Sequence, residues 1–274
     1  MSDVDSVRDY WKTAIVDIKP GEYRLRGYPI DQLIGELTFV QTIWLTLRGT
    51  IPTPQQATLL EAAMVGSVDG GPMSPSCAIA SMAATCGVGL NSAVASGINV
   101  LGDTHGGAGQ QCMALFESIR QRAASGRSLE AAVEAELERY RFVPGFGHRF
   151  HPVDPRAVRL VELVAKARSA GVVEGTYLDI ARQIEASLER KKGKLIPINI
   201  DGASALIFSE LGFPSPLGRG IFILSRAVGL LAHAWEQMEG GARIKGPVPP
   251  EVGYHYTGEP PRDFEPQTKA DIGS

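Results

Sequence analysis

The sequence predicts an all-α fold, and three observations carry that prediction. Apolar residues recur at three- and four-residue spacing along most of the chain. Extended signals are confined to short pieces, chiefly residues 23–26 and 194–200, which leave room for a minor hairpin at most. Two stretches, 76–85 and 91–101, are rich in Ala, Gly and Ser, a composition that lets buried helices approach closely.

Taken in order, residues 30–47 place Leu33, Ile34, Leu37, Val40, Ile43, Trp44 and Leu47 on one helical face. Thr53 suits an N-cap and Pro54 a first-turn proline, opening a helix that runs to Val65. The small-residue helices 76–85 and 91–101 follow. Residues 129–140, 155–170 and 176–190 are charged and amphipathic, and 191–194 end the last of them with basic residues suited to a helix C-terminus. Residues 220–238 form the final long helix. Beyond Gly240, Gly and Pro dominate, and an irregular tail is expected. The chain shows no internal repeat and no low-complexity tract.

At 274 residues the chain can hold one large or two modest domains and bury a substantial core. A formal net charge of −3 gives no general basic field for nucleic acid. The apolar run around 221–235 is interrupted by Arg226, Gly229 and His233, and suits a buried helix better than the ~20 apolar residues of a membrane span. The acidic N-terminus lacks the apolar core of a secretion signal. Cys77, Cys86 and Cys112 are odd in number and have no metal-like spacing, so reduced thiols in a cytoplasmic protein are expected.

Three motifs carry chemistry: HGGA (105–108), GFGHRFHPVDPR (145–156) and NID (199–201). They supply His105, His148 and Asp201, each in a Gly- or Pro-rich turn context. A carbon acid beside a thioester is deprotonated only when a base takes its proton while a donor stabilises the enolate oxygen. Two histidines and an aspartate fill those roles and leave one group for a partner carbonyl or alcohol. Asp201 lies between Ile200 and Gly202, where partial desolvation would raise its proton affinity, although an Asp before Gly is commonly a turn residue. Arg226, alone in an apolar helix, asks for a buried anionic partner.

These motifs occur with WKTAI (11–15), RLRGYPIDQLIGELTFVQTIWLTLRG (24–49), INVLGDTHGGAG (98–109), LIPINIDGASALIFSELGFP (195–214) and SRAVGLLAHAWEQ (225–237). The set and its order resemble the citrate synthase superfamily, and within it the short citryl-CoA lyases and the lyase domain of ATP-citrate lyase. The resemblance covers nearly the whole chain. It implies a large helical domain from residues 1–110 and 222–274, a small one from 111–221, and an active site in the cleft between them. It also implies a homodimer whose packed helices include the small-residue stretch 76–101.

By this resemblance His105 donates a hydrogen bond to the thioester oxygen, and Asp201 is the base or acid at the α-carbon. His148 exchanges a proton with the partner's oxygen, while Arg156 and Arg226 bind carboxylate. Coenzyme A needs cations for its phosphates, and Arg149 and Lys194 stand beside the catalytic motifs. The cluster 190–192 suits that role or a solvated helix end. His151 receives no role, and His233 and His255 are expected to be structural. No metal and no tightly bound cofactor is implied; the coenzyme A thioester is substrate or product.

Two positions depart from the family pattern. Gly70 follows Asp69 where a histidine that polarises the keto acid is expected, and Gly246 precedes Pro247 where an arginine is expected, with Lys245 as a partial substitute. The implied reaction is cleavage of a 3-hydroxyacyl-CoA such as citryl-CoA to acetyl-CoA and oxaloacetate or a less charged carbonyl compound. The alternatives are a citrate or 2-methylcitrate synthase-type acyltransferase and a non-catalytic acyl-CoA-binding homologue.

Overall fold

The computed structural model describes residues 3–147 and 153–264. After α1 (Asp3–Tyr10) come three short antiparallel strands, β1 (Val16–Lys19), β2 (Glu22–Leu25) and β3 (Tyr28–Pro29), with Val16 opposite Leu25 and Leu25 opposite Tyr28. The sheet has one strand more than the expected hairpin. Arg26 (φ 50°) and Gly27 (φ 89°) form a tight left-handed turn between β2 and β3. The strain at Arg26 is held by its guanidinium, which donates to the Thr46 carbonyl at 3.0 and 2.7 Å and to the Ala14 carbonyl at 3.1 Å.

The single helix expected over 30–47 is broken into α2 (Ile30–Leu33) and α3 (Phe39–Arg48). Gly35 at φ 89° stops the first, and a reciprocal cap between Thr38 and Gln41 starts the second. Thr53 and Gln56 make the same box at the start of α4 (Pro54–Ser67), with Pro54 in the first turn as expected. Then come α5 (Pro75–Thr85), α6 (Leu90–Asn99), α7 (Ala108–Ala124), α8 (Leu129–Leu137), α9 (Pro155–Ser169), α10 (Thr176–Lys192), α11 (Ile200–Glu210) and α12 (Ser215–Glu239). Helices α1, α7 and α11 are additions to those that periodicity marks, and the last two begin inside the motifs singled out for chemistry.

Two kinds of packing position the site. Helix α11 is buried along nearly its whole length and packs on α4, α7 and α9, where Leu60, Phe116, Ile119, Leu160, Val164, Ile184, Leu206 and Ile207 form a core of large side chains. Each such side chain contributes about 1.5–3 kcal/mol by leaving water. Helices α5, α6 and α12 instead pack through Cys77, Ala80, Ala84, Ala93 and Ala234. A Cβ at Gly97 of α6 would stand 2.8 Å from the Ser76 carbonyl of α5, so glycine there sets how closely the two backbones approach. Cys77 and Cys112 are buried in these cores as free thiols; Cys86 is exposed.

By length and hydropathy alone α12 is able to cross a membrane. It packs against α5 and α6 and buries Arg226 at 7% exposure, while Leu224, Val228, Leu231 and Trp235 line its outer face.

Candidate active site

The extended segment ahead of α11 brings two of the motifs together. Ile198 forms a single antiparallel bridge with Phe146. Around it the Gly147 N–H donates to the Pro197 carbonyl at 2.8 Å, and the Asn199 N–H donates to the Gly145 carbonyl at 2.9 Å. A Cβ at Gly145 would stand 2.8 Å from the Gly202 Cα, so the approach requires a glycine. His148, Arg149 and His151 lie outside the described residues, but the loop that leads into them is fixed here against the start of α11.

Asn199 caps α11. Its Oδ1 accepts from the N–H groups of Asp201 (3.0 Å) and Gly202 (3.2 Å), and its Nδ2 donates to the Gly147 carbonyl at 2.7 Å. Asp201 therefore sits in the first turn of a buried helix, where the N-terminal dipole favours a carboxylate. The Asn-x-Asp spacing is readable as a helix start, a three-residue signal that an extended assignment of 194–200 obscures.

His105 comes from the turn between α6 and α7. Gly106 has φ 91°, and a Cβ at Gly107 would stand 2.6 Å from the Asp103 carbonyl, so both glycines serve the turn itself. The His105 Nε2 accepts from the Ser76 N–H at 3.2 Å and lies 3.0 Å from the Ser76 Oγ. Ser76 is in the first turn of α5, so this imidazole stands where a capping side chain normally stands. The bond fixes Nε2 as acceptor and places the ring proton on Nδ1. Burial, followed by the positive charge of Arg226, lowers the His105 pKa, while Asp201 opposes the shift. The ring is held neutral.

Arg226 reaches the same space from α12. Its Nε donates to the Ser67 carbonyl at 3.3 Å, and its guanidinium lies 4.9 Å from the centre of the Phe222 ring. Burial lowers its pKa, and the negative groups around it, Asp69 and Asp201 among them, work against that shift. Arg156 also acts on it. That arginine begins α9, with its fork on Asp154 at 3.1 and 2.9 Å; Asp154 is buried and also accepts the Arg156 N–H. His105, Asp201, Arg226 and Arg156 thus form one electrostatic neighbourhood. Lys194 is exposed in the segment leading to Pro197.

Beside Arg226, the Asp69 Oδ1 accepts from the Gly70 N–H (2.8 Å) and lies 3.4 Å from the Cys77 Sγ and 3.1 Å from the His233 Nε2. Burial would raise the Asp69 pKa, but the Cys77 thiol, the Gly71 N–H and His233 hold it below the usual carboxylate value. His233, expected to be structural, reaches Asp69 from α12. Lys245 is tied to the far end of α12, its Nζ donating to the Gln237 Oε1 at 3.1 Å.

A cavity of about 10 Å³, the size of one water, lies against Asp201, Gly106, Ser204 and Phe222. A larger one of about 570 Å³ opens between α7 and the α11–α12 turn, beside Glu117, Tyr177 and Phe213, and touches none of the described residues of 105–108, 145–156 or 199–201. Of the candidate site residues, Asp201 lines the small one.

The chain matches the citrate synthase C-terminal domain over residues 47–247. It is 36% identical to citrate synthase of Haloferax volcanii over 181 residues, 65% of this chain and 44% of that protein. It is 33% identical to citrate synthase of Synechocystis sp. over 165 residues, 59% of this chain and 40% of that one. The chain thus spans less than half the length of these curated relatives. A solved citryl-CoA lyase from Hydrogenobacter thermophilus is 37% identical with a TM-score of 0.83, over 93% of this chain and 97% of that one. ATP citrate lyase from Methanothrix soehngenii, solved with citrate and coenzyme A, shares the fold at 21% identity and a TM-score of 0.76, over 100% of this chain and 46% of that one.

Proposed function

This chain belongs to the citrate synthase family, and we propose that it cleaves a 3-hydroxyacyl-CoA such as citryl-CoA to acetyl-CoA and a keto acid through a thioester enolate. The observation that carries the reading is the hydrogen bond from the Ser76 N–H to the His105 Nε2. It leaves a neutral imidazole whose Nδ1–H has no partner among the described residues, in the same electrostatic neighbourhood as the Asp201 carboxyl group. A neutral donor stabilises an enolate oxygen without protonating it, and a nearby carboxyl group moves the proton at carbon. Full-length likeness to a citryl-CoA lyase favours the cleavage direction.

In that direction the hydroxyl proton passes to His148, the carbon–carbon bond breaks, and its electron pair enters the thioester as the enolate. His105 holds the enolate oxygen. Asp201, entering the step protonated, delivers a proton to carbon. Arg156 and Arg226 meet the anionic partner, and Arg149 with Lys194 meets the coenzyme A phosphates. The step is redox-neutral and consumes no water. Cleft closure between residues 111–221 and the remainder would exclude solvent from the carbanion. The outer apolar face of α12 supports a homodimer. A cytoplasmic setting suits the free thiols.

A second reading, a citrate or 2-methylcitrate synthase-type acyltransferase, is favoured by the curated relatives, which are citrate synthases. A non-catalytic acyl-CoA-binding homologue is the third. Deuterium exchange into the methyl group of acetyl-CoA, followed by mass spectrometry, tests the shared chemistry. Exchange by the wild-type protein that disappears in Asp201→Asn is the expected result. Absence of exchange with acetyl-CoA and propionyl-CoA alike would overturn both enzyme readings. A screen of 3-hydroxyacyl-CoA thioesters for cleavage then separates lyase from synthase.

A further inference from the structure

Three donor atoms of different chemistry converge where the loop after α4 meets α5 and α12. The Asp69 Oδ1 stands 3.4 Å from the Cys77 Sγ and 3.1 Å from the His233 Nε2, and all three atoms lie within 4.8 Å of one another. Asp69 comes from the loop, Cys77 from the first turn of α5 and His233 from the second half of α12. His233 is 164 residues from Asp69 in sequence. The linear pattern, in which no metal-like spacing was expected, therefore hides a set that folding assembles.

The backbone makes room for this convergence. At Gly229, one turn before His233 on α12, a Cβ would meet the Val68 carbonyl and stand 3.2 Å from the Asp69 Oδ1. A bare Cα at 229 lets the loop lie against α12 and present its carboxylate to His233. The other ring nitrogen of His233, Nδ1, faces the Glu236 carboxylate at 4.0 Å. One nitrogen toward a cluster of ligand atoms and the other toward a carboxylate is the arrangement that orients a metal-bound imidazole.

We propose that Asp69, Cys77 and His233 bind a divalent transition-metal ion, Zn²⁺ by preference, through Oδ1, Sγ and Nε2. Tetrahedral zinc with bonds of roughly 2.0–2.3 Å sets its ligand atoms roughly 3.4–3.6 Å apart, close to the separations found here. Thiolate with imidazole selects zinc and its neighbours over magnesium or calcium, which take oxygen ligands. On binding, the Cys77 thiol loses its proton to solvent, and the ion replaces the hydrogen atoms that now lie between these groups. Carboxylate and thiolate together cancel the two positive charges of the ion, so Arg226, which interacts with both residues, faces a neutral centre. The Asp69 side chain is 42% exposed, which leaves a fourth coordination position open to water. The ion clamps the loop and the start of α5 to α12, a role independent of the reaction proposed above.

Titration of the chelator-treated, full-length protein with Co²⁺, followed by absorption, tests the site. The wild type is expected to bind a single Co²⁺ with a thiolate-to-cobalt charge-transfer band in the near ultraviolet, and excess Zn²⁺ should displace it. Cys77→Ala should abolish the band, and His233→Asn should weaken Co²⁺ binding about tenfold or more. Cys86→Ser removes the exposed thiol and should leave band and affinity unchanged. Absence of the band in the wild type overturns the proposal, as does a band that survives Cys77→Ala or disappears in Cys86→Ser. Displacement of Co²⁺ by excess Mg²⁺ does the same. Zn²⁺ should also raise the thermal midpoint of the wild type but not of Cys77→Ala, and an equal shift in both would count against the site. Should Cys77→Ala fail to fold by circular dichroism, His233→Asn carries the test, and unchanged Co²⁺ affinity there overturns the proposal.

Discussion

The site is built on two helix N-termini that solve the same problem in opposite ways. Helix α11 is capped by its own neighbour Asn199, through bonds to Asp201 and Gly202. Helix α5 has a serine in the capping position that does not cap, and a histidine 29 residues away in sequence takes its N–H instead. A locally capped end holds its carboxylate whatever the rest of the site does. A remotely capped end ties the imidazole's protonation state to tertiary packing and leaves the local serine without a capping bond.

The comparison can be broken at five points. The largest expected effect is Asp201→Asn, which keeps the volume and the Asn199 cap but removes the proton carrier; methyl exchange should fall about 10²- to 10⁴-fold. A fall of less than tenfold would remove Asp201 from the chemistry. His105→Ala should lower exchange about 10²- to 10³-fold and, unlike Asp201→Asn, should also destabilise the fold, because the α5 end loses its partner. Urea denaturation of the two variants side by side checks this.

Asn199→Ala strips the local cap and is expected to cost about 1–2 kcal/mol in the same urea assay. Ser74→Ala occupies the equivalent position on α5 and should change stability by less than about 0.5 kcal/mol, since no capping bond is lost. Equal costs for the two would erase the distinction between the helix ends. The smallest effect concerns pH. The folded pKa of His105 lies below its ordinary value of 6.5, so on acidification the unfolded chain binds the proton first. The contribution of this group is therefore complete above pH 6.5 and is lost as pH falls toward the folded value. His105→Gln should flatten that part of the stability–pH profile, and an unchanged slope would contradict the neutral imidazole.

Much of this was legible in the sequence because the signals are local. Thr53, Pro54 and Gln56 announce a helix start with their own side chains, and the charged periodicity of α9 and α10 needs no tertiary information. What periodicity did not mark shares a cause. Helix α11 is buried on nearly every face, so no polar stripe betrays it. The break after α2 depends on one left-handed glycine, and β3 on a turn whose Arg26 is held by carbonyls of two other segments. In the site, His105 and Asp201 were named by motif, whereas Ser76 acquires meaning only through a partner that folding supplies. Gly70 reads in sequence as a missing ligand. In the structure its vacancy is filled by Arg226.

Asn199 carries a consequence of its own. Its amide oxygen holds the start of α11 and its amide nitrogen holds the loop ahead of His148, so one planar group pins together the segments that present two catalytic motifs. Of the residues that cap helices well, Asp has no donor, and the single hydroxyl of Ser or Thr is too short to span both sides; only Asn offers an acceptor and a donor on opposite edges. Asn199→Asp would leave the helix end satisfied while removing the side-chain bond to the Gly147 carbonyl. The residue works as a hinge pin, and the two motifs cannot shift independently while it is in place.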